Sequence, residues 1–85
     1  MPLMIYMDGA NFDPLNFKVN GDCKLIQLFK KFAVYNDMDL QSLTFMHKGV
    51  ELETSTYGLT IAEMKISDQD TIKVVYNFDM FMKCL

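Results

Sequence analysis

The chain has 85 residues, of which 51% are hydrophobic and 22% are charged, and its net charge is −3. This length supports one globular domain, and no apolar run approaches the roughly 18 residues that span a bilayer. Attachment to a phosphate backbone needs clustered Lys and Arg, so the acidic balance argues against direct binding of DNA or RNA.

The first 19 residues predict a β-hairpin. Residues 3–7 alternate, with Leu3, Ile5 and Met7 on one face, and residues 15–19 alternate again. Between them, residues 8–14 concentrate turn formers, which indicates a tight connection.

Residues 22–36 predict the one long helix. Its apolar side chains share the i, i+3, i+4, i+7 spacing of one face: Leu25, Leu28, Phe29 and Phe32. Asp22 is predicted as the N-cap, and Lys30 and Lys31 lie toward the end that the helix dipole makes favourable for cations.

After a polar connection over 36–41, two further strands are predicted. Residues 43–47 form the third, with Leu43 and Phe45 buried, and residues 50–52 form a brief fourth. The segment 53–58 is small and polar, which predicts an exposed loop.

The last third of the chain predicts one helical turn and a closing strand. Thr60 and Glu63 stand in capping-box register, so residues 60–64 are expected to form the turn. Residues 71–76 then complete the sheet, with Ile72 and Val74 inward.

We therefore expect an α+β fold in residues 1–77: a mixed sheet of four or five strands on one helix. An apolar tail, 78–85, follows.

This order of strands and helix is that of the ubiquitin-like β-grasp fold, and short sequence motifs make the resemblance more specific. FKV at 17–19, KL at 24–25 and SLTF at 42–45 with Gly49 beyond resemble the HFKV, HLKKL and SLRFLFEG segments of SUMO, the small ubiquitin-like modifier. TIAEMKISDQDTIKV at 60–74 is similar to its TPKELGMEEEDVIEV. The resemblance covers nearly the whole domain.

The tail departs from the family. Conjugated members end in Gly-Gly shortly after the last strand, whereas this chain has Met80 and Phe81 there. The resemblance therefore implies a SUMO-like domain of the non-conjugated kind that lacks a C-terminal Gly-Gly.

The resemblance also implies a partner site. In SUMO, an apolar strand with acidic flanks adds to the second strand in the groove beside the helix. The matching positions here are Phe17, Lys18, Val19, Lys24 and Leu28. The three apolar residues would form the floor and the two lysines would attract the flanks. Ile26 and Gln27 replace two family lysines, so the basic rim is thinner. The alternative is that the apolar residues are core and the lysines a solvated face.

A second family surface binds a ubiquitin-like E2 enzyme through acidic residues before the last strand. Asp68 and Asp70 keep that acidic character, whereas Lys48 stands where the family has a Glu, so the charge at that position is reversed. The plainer interpretation is a turn. Thr44 replaces the isoleucine of ubiquitin's recognition patch, so we expect no binding by ubiquitin receptors.

Nothing in the sequence predicts an enzyme, a metal site or a cofactor. His47 has no spacing-matched nucleophile, and Cys23 and Cys84 lack disulfide or zinc spacing, so both are expected to be reduced. Cys23 lies at the predicted helix start, where the dipole would lower its thiol pKa.

The apolar residues of the tail are Phe78, Met80, Phe81 and Met82. They are expected to pack on the sheet, extend the last strand or engage a partner, unless the tail is simply frayed. We expect a monomer, with self-association through the tail left open.

Taken together, the sequence predicts a non-catalytic protein-interaction module without a nucleic-acid or membrane partner, located in the nucleus or cytoplasm. One alternative is a scaffold that self-associates through Lys24, Lys30 and Lys31 against Asp68 and Asp70. A conjugated modifier is a further alternative, which the missing Gly-Gly opposes.

Overall fold

The computed structural model describes residues 2–77. Residues 2–77 contain five strands: β1 (Leu3–Asp8), β2 (Leu15–Val19), β3 (Leu43–His47), β4 (Val50–Glu51) and β5 (Thr71–Tyr76). An α-helix, α1 (Leu25–Tyr35), lies between β2 and β3, and short 3-10 turns cover Leu40–Ser42 and Thr54–Thr56. The strand order is β2-β1-β5-β3-β4. The β1–β5 pair is parallel and the other pairs are antiparallel, which confirms the predicted mixed sheet on one helix.

The hairpin of β1 and β2 has the predicted alternation. Ile5 and Met7 are fully buried, and Leu3 packs against the same core. Gly9 follows β1 at a point where the backbone of β5 approaches so closely that a Cβ would lie 2.0 Å from the Val74 carbonyl oxygen. This close approach lets the chain leave the sheet and turn immediately after its parallel contact with β5.

The core is organised around an aromatic stack between the helix and the sheet. The rings of Phe29 and Phe45 are parallel, with centroids 3.8 Å apart. Tyr57 packs edge-on against both rings, at 4.9 Å from Phe29 and 6.1 Å from Phe45. The predicted apolar face of α1 is confirmed, because all four of its residues are at most 1% exposed.

The predicted start of the helix is wrong. The helix begins at Leu25 with Lys24 as the N-cap, so Asp22 does not cap it. Main-chain carbonyls take over that role: the N–H of Leu25 donates to Leu59 O and that of Ile26 to Tyr57 O, both at 3.0 Å. Since these bonds satisfy first-turn donors, no carboxylate cap is needed.

The end of the helix also differs from the prediction. Its last turn contains no basic residue, because α1 stops at Tyr35 and Lys30 and Lys31 lie before that turn. The expected interaction of these lysines with the helix dipole is therefore absent, since the effect falls off within the last turn.

Residues 57–62 bind the connection between β2 and α1, and we call this set of bonds the clamp. Besides the two bonds to the helix start, Ile61 N–H donates to Cys23 O and Ala62 N–H to Gly21 O, both at 2.9 Å. Lys24 and Thr60 form an isolated β-bridge at the centre. The clamp therefore fixes the start of α1 relative to β2.

The predicted capping box at Thr60 is confirmed. Glu63 N–H donates to Thr60 Oγ1 at 3.1 Å, and Thr60 N–H donates to Glu63 Oε1 at 2.9 Å. Hydrogen bonds from the Thr60 main chain and side chain hold the pKa of Glu63 below its usual value. The segment itself forms turns and not a regular helix.

The prediction for residues 53–58 is wrong in one respect. The segment contains the Thr54–Thr56 turn and delivers the half-buried Tyr57 to the aromatic stack. Burial, with a smaller contribution from the Glu51 carboxylate, raises the pKa of the Tyr57 hydroxyl. The Leu40–Ser42 turn was likewise not predicted.

Gly9→Ala is expected to destabilise the protein. The added Cβ would lie 2.0 Å from a main-chain oxygen, and forced overpacking of this kind costs about 1–3 kcal/mol. Urea unfolding followed by circular dichroism measures the change. The matched control is Gly58→Ala, where a Cβ meets nothing within 4 Å and stability should stay level or rise slightly. Equal unfolding midpoints for both variants would contradict the close approach.

Candidate functional site

The open edge of β2 is the first feature of the site. In the described part of the chain, β2 pairs with β1 on one side and with no strand on the other. Gln69 N–H donates to Met4 O at 2.6 Å, and Tyr6 N–H donates to Asp70 O at 3.0 Å, so the main-chain groups of Met4 and Tyr6 face β5.

Alternation along β1 then fixes the orientation of β2. Successive residues of a strand direct their main-chain groups to opposite sides, so Ile5, between Met4 and Tyr6, faces β2 and is paired there with Phe17. Asn16 and Lys18, on either side of Phe17, must therefore direct their N–H and C=O groups outward. The open edge offers two donors and two acceptors to an added strand.

A groove runs beside this edge, between β2 and the start of α1. It is lined by Lys18, Val19, Asn20, Asp22, Cys23 and Gln27. Phe17 and Val19 are half-buried against the core, whereas Lys18 and Lys24 are exposed. Lys18 and Asp22 therefore lie within the groove lining, and Lys24 lies at the N-cap of α1.

Leu28 lies elsewhere than the groove prediction requires. It is 1% exposed and belongs to the core, so it has almost no surface for a partner. The helical period allowed either role, because a residue at this position serves as core or as floor depending on the rotation of the helix.

Cys23 and Gln27 line the groove without having been predicted there. The Cys23 thiol donates a weak hydrogen bond to Gln27 Oε1 at 3.4 Å, and Gln27 Oε1 also accepts the Lys24 N–H at 3.0 Å. Burial raises the pKa of Cys23, Lys31 opposes this less strongly, and Asp22 adds to it. The predicted lowering of this pKa is wrong, and the thiol stays protonated at neutral pH.

The two acidic residues of the predicted E2-facing surface make hydrogen bonds within the domain. Asp68 Oδ1 accepts the Met4 N–H at 2.7 Å. Asp70 Oδ2 accepts the Ser67 N–H at 2.9 Å and lies 2.8 Å from His47 Nε2. The Ser67 hydrogen bond, followed by that to His47, holds the pKa of Asp70 below its usual value. Both carboxylates thus stabilise the approach to β5.

Thr44, the position of ubiquitin's isoleucine, also makes polar contacts at the far end of the sheet. Its hydroxyl donates to Asn77 Oδ1, and Asn77 Nδ2 donates to Gln41 O at 2.9 Å. The predicted tail site of Phe78, Met80, Phe81 and Met82 lies outside the described residues.

Residues 2–77 also lack two other kinds of feature. No group of three or more His, Cys, Asp or Glu side chains in this range is arranged to hold a metal ion. None of its helices is both long enough and apolar enough to cross a membrane.

Asp70→Asn is expected to reduce the acid sensitivity of folding. Because its folded pKa is depressed, ionised Asp70 contributes stability above its unfolded pKa of about 4, and this contribution is lost as the pH falls through the folded pKa. Urea unfolding from about pH 6 to about pH 2 should therefore show wild type and variant converging at low pH.

Asp39→Asn is the control, because that exposed residue makes no side-chain capping bond. Parallel stability curves for wild type and Asp70→Asn would contradict the hydrogen-bonded role of Asp70.

Known structures resemble this fold closely, although sequence comparison finds nothing: no protein-family model and no curated protein matches the chain. A ubiquitin from Caldiarchaeum subterraneum superposes with a TM-score of 0.77 at 15% identity, covering 89% of this chain and 94% of that one. The ubiquitin-like domain of an Arabidopsis thaliana protein superposes with a TM-score of 0.72 at 15% identity, over 88% and 77%.

A third structure, described as "Molecular Mimicry of SUMO promotes DNA repair", has a TM-score of 0.71 at 13% identity, over 87% of this chain and 90% of that one. Identities this low establish the fold alone. The chain has the ubiquitin-like β-grasp fold that its sequence resemblance implied.

Proposed function

We propose that this domain is a non-catalytic interaction module that binds a partner by adding the partner's strand to the open edge of β2. The observation that carries the proposal is the unpaired side of β2, where Asn16 and Lys18 direct main-chain donors and acceptors outward. An added strand satisfies these groups, which is how β-augmentation gains affinity. An intracellular role, in the nucleus or the cytoplasm, belongs to the same proposal.

The two faces of β2 specify the partner's side chains. Phe17 and Val19 face the helix and are half-buried against the core, so apolar partner residues on that side would pack on their accessible surface. Lys18 alternates onto the opposite face and Lys24 lies at the helix start, and both are exposed. Acidic residues at the ends of the partner strand complement these lysines, although Asp22 in the groove lining weakens the attraction.

The E2-facing alternative has less support. Asp68 and Asp70, its acidic residues, already accept hydrogen bonds from Met4, Ser67 and His47. A partner that recruited these carboxylates would have to share them with, or remove them from, bonds that hold the segment leading into β5.

A peptide titration tests the proposal. The probe is a synthetic peptide with alternating Val and Ile between Asp and Glu flanks, added to the ¹⁵N-labelled full chain. Chemical shift changes should cluster on residues 16–19 and 23–27. Charge reversal by Lys18→Glu with Lys24→Glu should weaken binding about tenfold, since rim charges contribute modestly.

Two control peptides separate strand addition from charge attraction. One keeps the acids but carries Ser in place of Val and Ile, and the other is N-methylated at the residues whose N–H groups face β2. Neither should bind. The proposal is wrong if the N-methylated peptide binds as well as its parent, or if the parent shifts no resonance of residues 16–27 at millimolar concentration.

A further inference from the structure

The outward face of α1 carries side chains that the fold does not use. Val34 is 79% exposed and Tyr35 is 58% exposed, and both line an open hollow together with Lys30 and Lys31. A β-branched residue has lower helix propensity than most polar residues, and an exposed valine gains no packing. Val34 therefore contributes nothing to α1 that a polar residue would not. We call these four residues the helix face.

The helix face is positively charged on an acidic protein. α1 contains no Asp or Glu, so no neighbour along the helix neutralises Lys30 or Lys31. Both are exposed, and neither takes part in the ion pairs found among residues 2–77. A surface that combines exposed hydrocarbon with unpaired cations is suited to an apolar partner with carboxylates.

The opposite end of the sheet offers that complement. β4 is an edge strand, and its far side pairs with no strand in the described part of the chain. Val50 is 65% exposed, and Glu51 and Glu53 beside it are exposed. These three residues, which we call the β4 edge, present a large apolar side chain between two carboxylates and a turn that carries the exposed Lys48.

We propose that the helix face of one copy of this chain binds the β4 edge of a second copy. A symmetric contact between two helix faces would bring four lysines together. A symmetric contact between two β4 edges would bring four glutamates together. The head-to-tail contact instead pairs opposite charges around Val34, Tyr35 and Val50.

This arrangement has two physical consequences. Each added copy leaves one helix face and one β4 edge unused, so assemblies grow unless the geometry closes into a ring. Exposed ion pairs are individually weak and screened by salt, so association requires high concentration and is suppressed by salt. Neither surface overlaps the β2 groove, so this inference is independent of the proposed function.

In this proposal Glu51 and Glu53 take the place of the acidic residues that the sequence analysis assigned to the self-association contact. That hypothesis set the helix lysines against Asp68 and Asp70, whose carboxylates accept internal hydrogen bonds. Glu53 accepts the Thr56 hydroxyl only through its main-chain oxygen, and the Glu51 and Glu53 carboxylates accept no hydrogen bond within residues 2–77 and remain available.

Sedimentation velocity of the full chain, from about 0.05 to about 1 mM, tests the proposal. The sedimentation coefficient should rise beyond that of a dimer, and about 0.5 M NaCl should reverse the rise. Two charge-reversed variants, Lys30→Glu with Lys31→Glu and Glu51→Lys with Glu53→Lys, should each stay monomeric. Their mixture should associate again, because the intact helix face meets the intact β4 edge and the reversed, acidic helix face meets the reversed, basic β4 edge.

Two further variants guard against indirect effects. Lys18→Glu with Lys65→Glu makes the same change in net charge as Lys30→Glu with Lys31→Glu, but away from both surfaces, and should still associate. Val34→Ala should weaken association several-fold without lowering the unfolding midpoint, because alanine has the higher helix propensity. The proposal is overturned if wild type stays monomeric at about 1 mM in low salt, or if both charge-reversed variants still associate, which would place the contact on another surface such as residues 78–85.

Discussion

The main-chain clamp between residues 57–62 and 21–26 is the constraint on which the rest of the structure depends. It supplies acceptors for the first donors of α1, from Leu59 and Tyr57, and so sets where the helix begins. The same segment places Tyr57 edge-on against the stacked rings of Phe29 and Phe45. One stretch thus determines the start of the helix and closes the core beneath it.

The groove is a direct consequence of this clamp. Because Gly21 and Cys23 are held by Ala62 and Ile61, the start of α1 cannot move freely toward or away from β2. The wall formed by Cys23 and Gln27 is therefore in place before any partner arrives. A preformed wall reduces the ordering cost of binding, which is the physical advantage of recognition at this edge over recognition by a loose loop.

The sequence pattern was sufficient to predict the elements that are defined by the short-range spacing of apolar residues. Alternation located β1, β2, β3 and β5, and the spacing of Leu25, Leu28, Phe29 and Phe32 identified the buried helix face. The Thr60 and Glu63 capping box was also predictable, because its two bonds form within four consecutive residues.

The errors arise where distant segments compete with local preference. Asp22 is a good N-cap residue, yet carbonyls from far along the chain take its place. Tyr57 lies in a polar segment whose local composition predicts exposure, but its ring is drawn into the core. For Cys23, partial burial outweighs the helix dipole, since the helix starts two residues later.

The candidate site was predicted in part for the same reason. The resemblance to SUMO identified Phe17, Lys18, Val19 and Lys24, but residue type could not distinguish a groove floor from a core position, and Leu28 proved to be core. Likewise, sequence showed the charges of Asp68 and Asp70 but not the main-chain donors that occupy them. A charged residue contributes to an available binding surface only where the fold leaves its side chain unpaired.

The central claim is that the outer edge of β2 is open in the isolated domain, and amide hydrogen exchange measured by NMR tests it most directly. Asn16 and Lys18 should exchange rapidly, because their N–H groups face outward, whereas Phe17 should be protected by its bond to β1. If Asn16 and Lys18 were as protected as Phe17, the edge would already be covered in the absence of a partner, and the account given for the site would be contradicted.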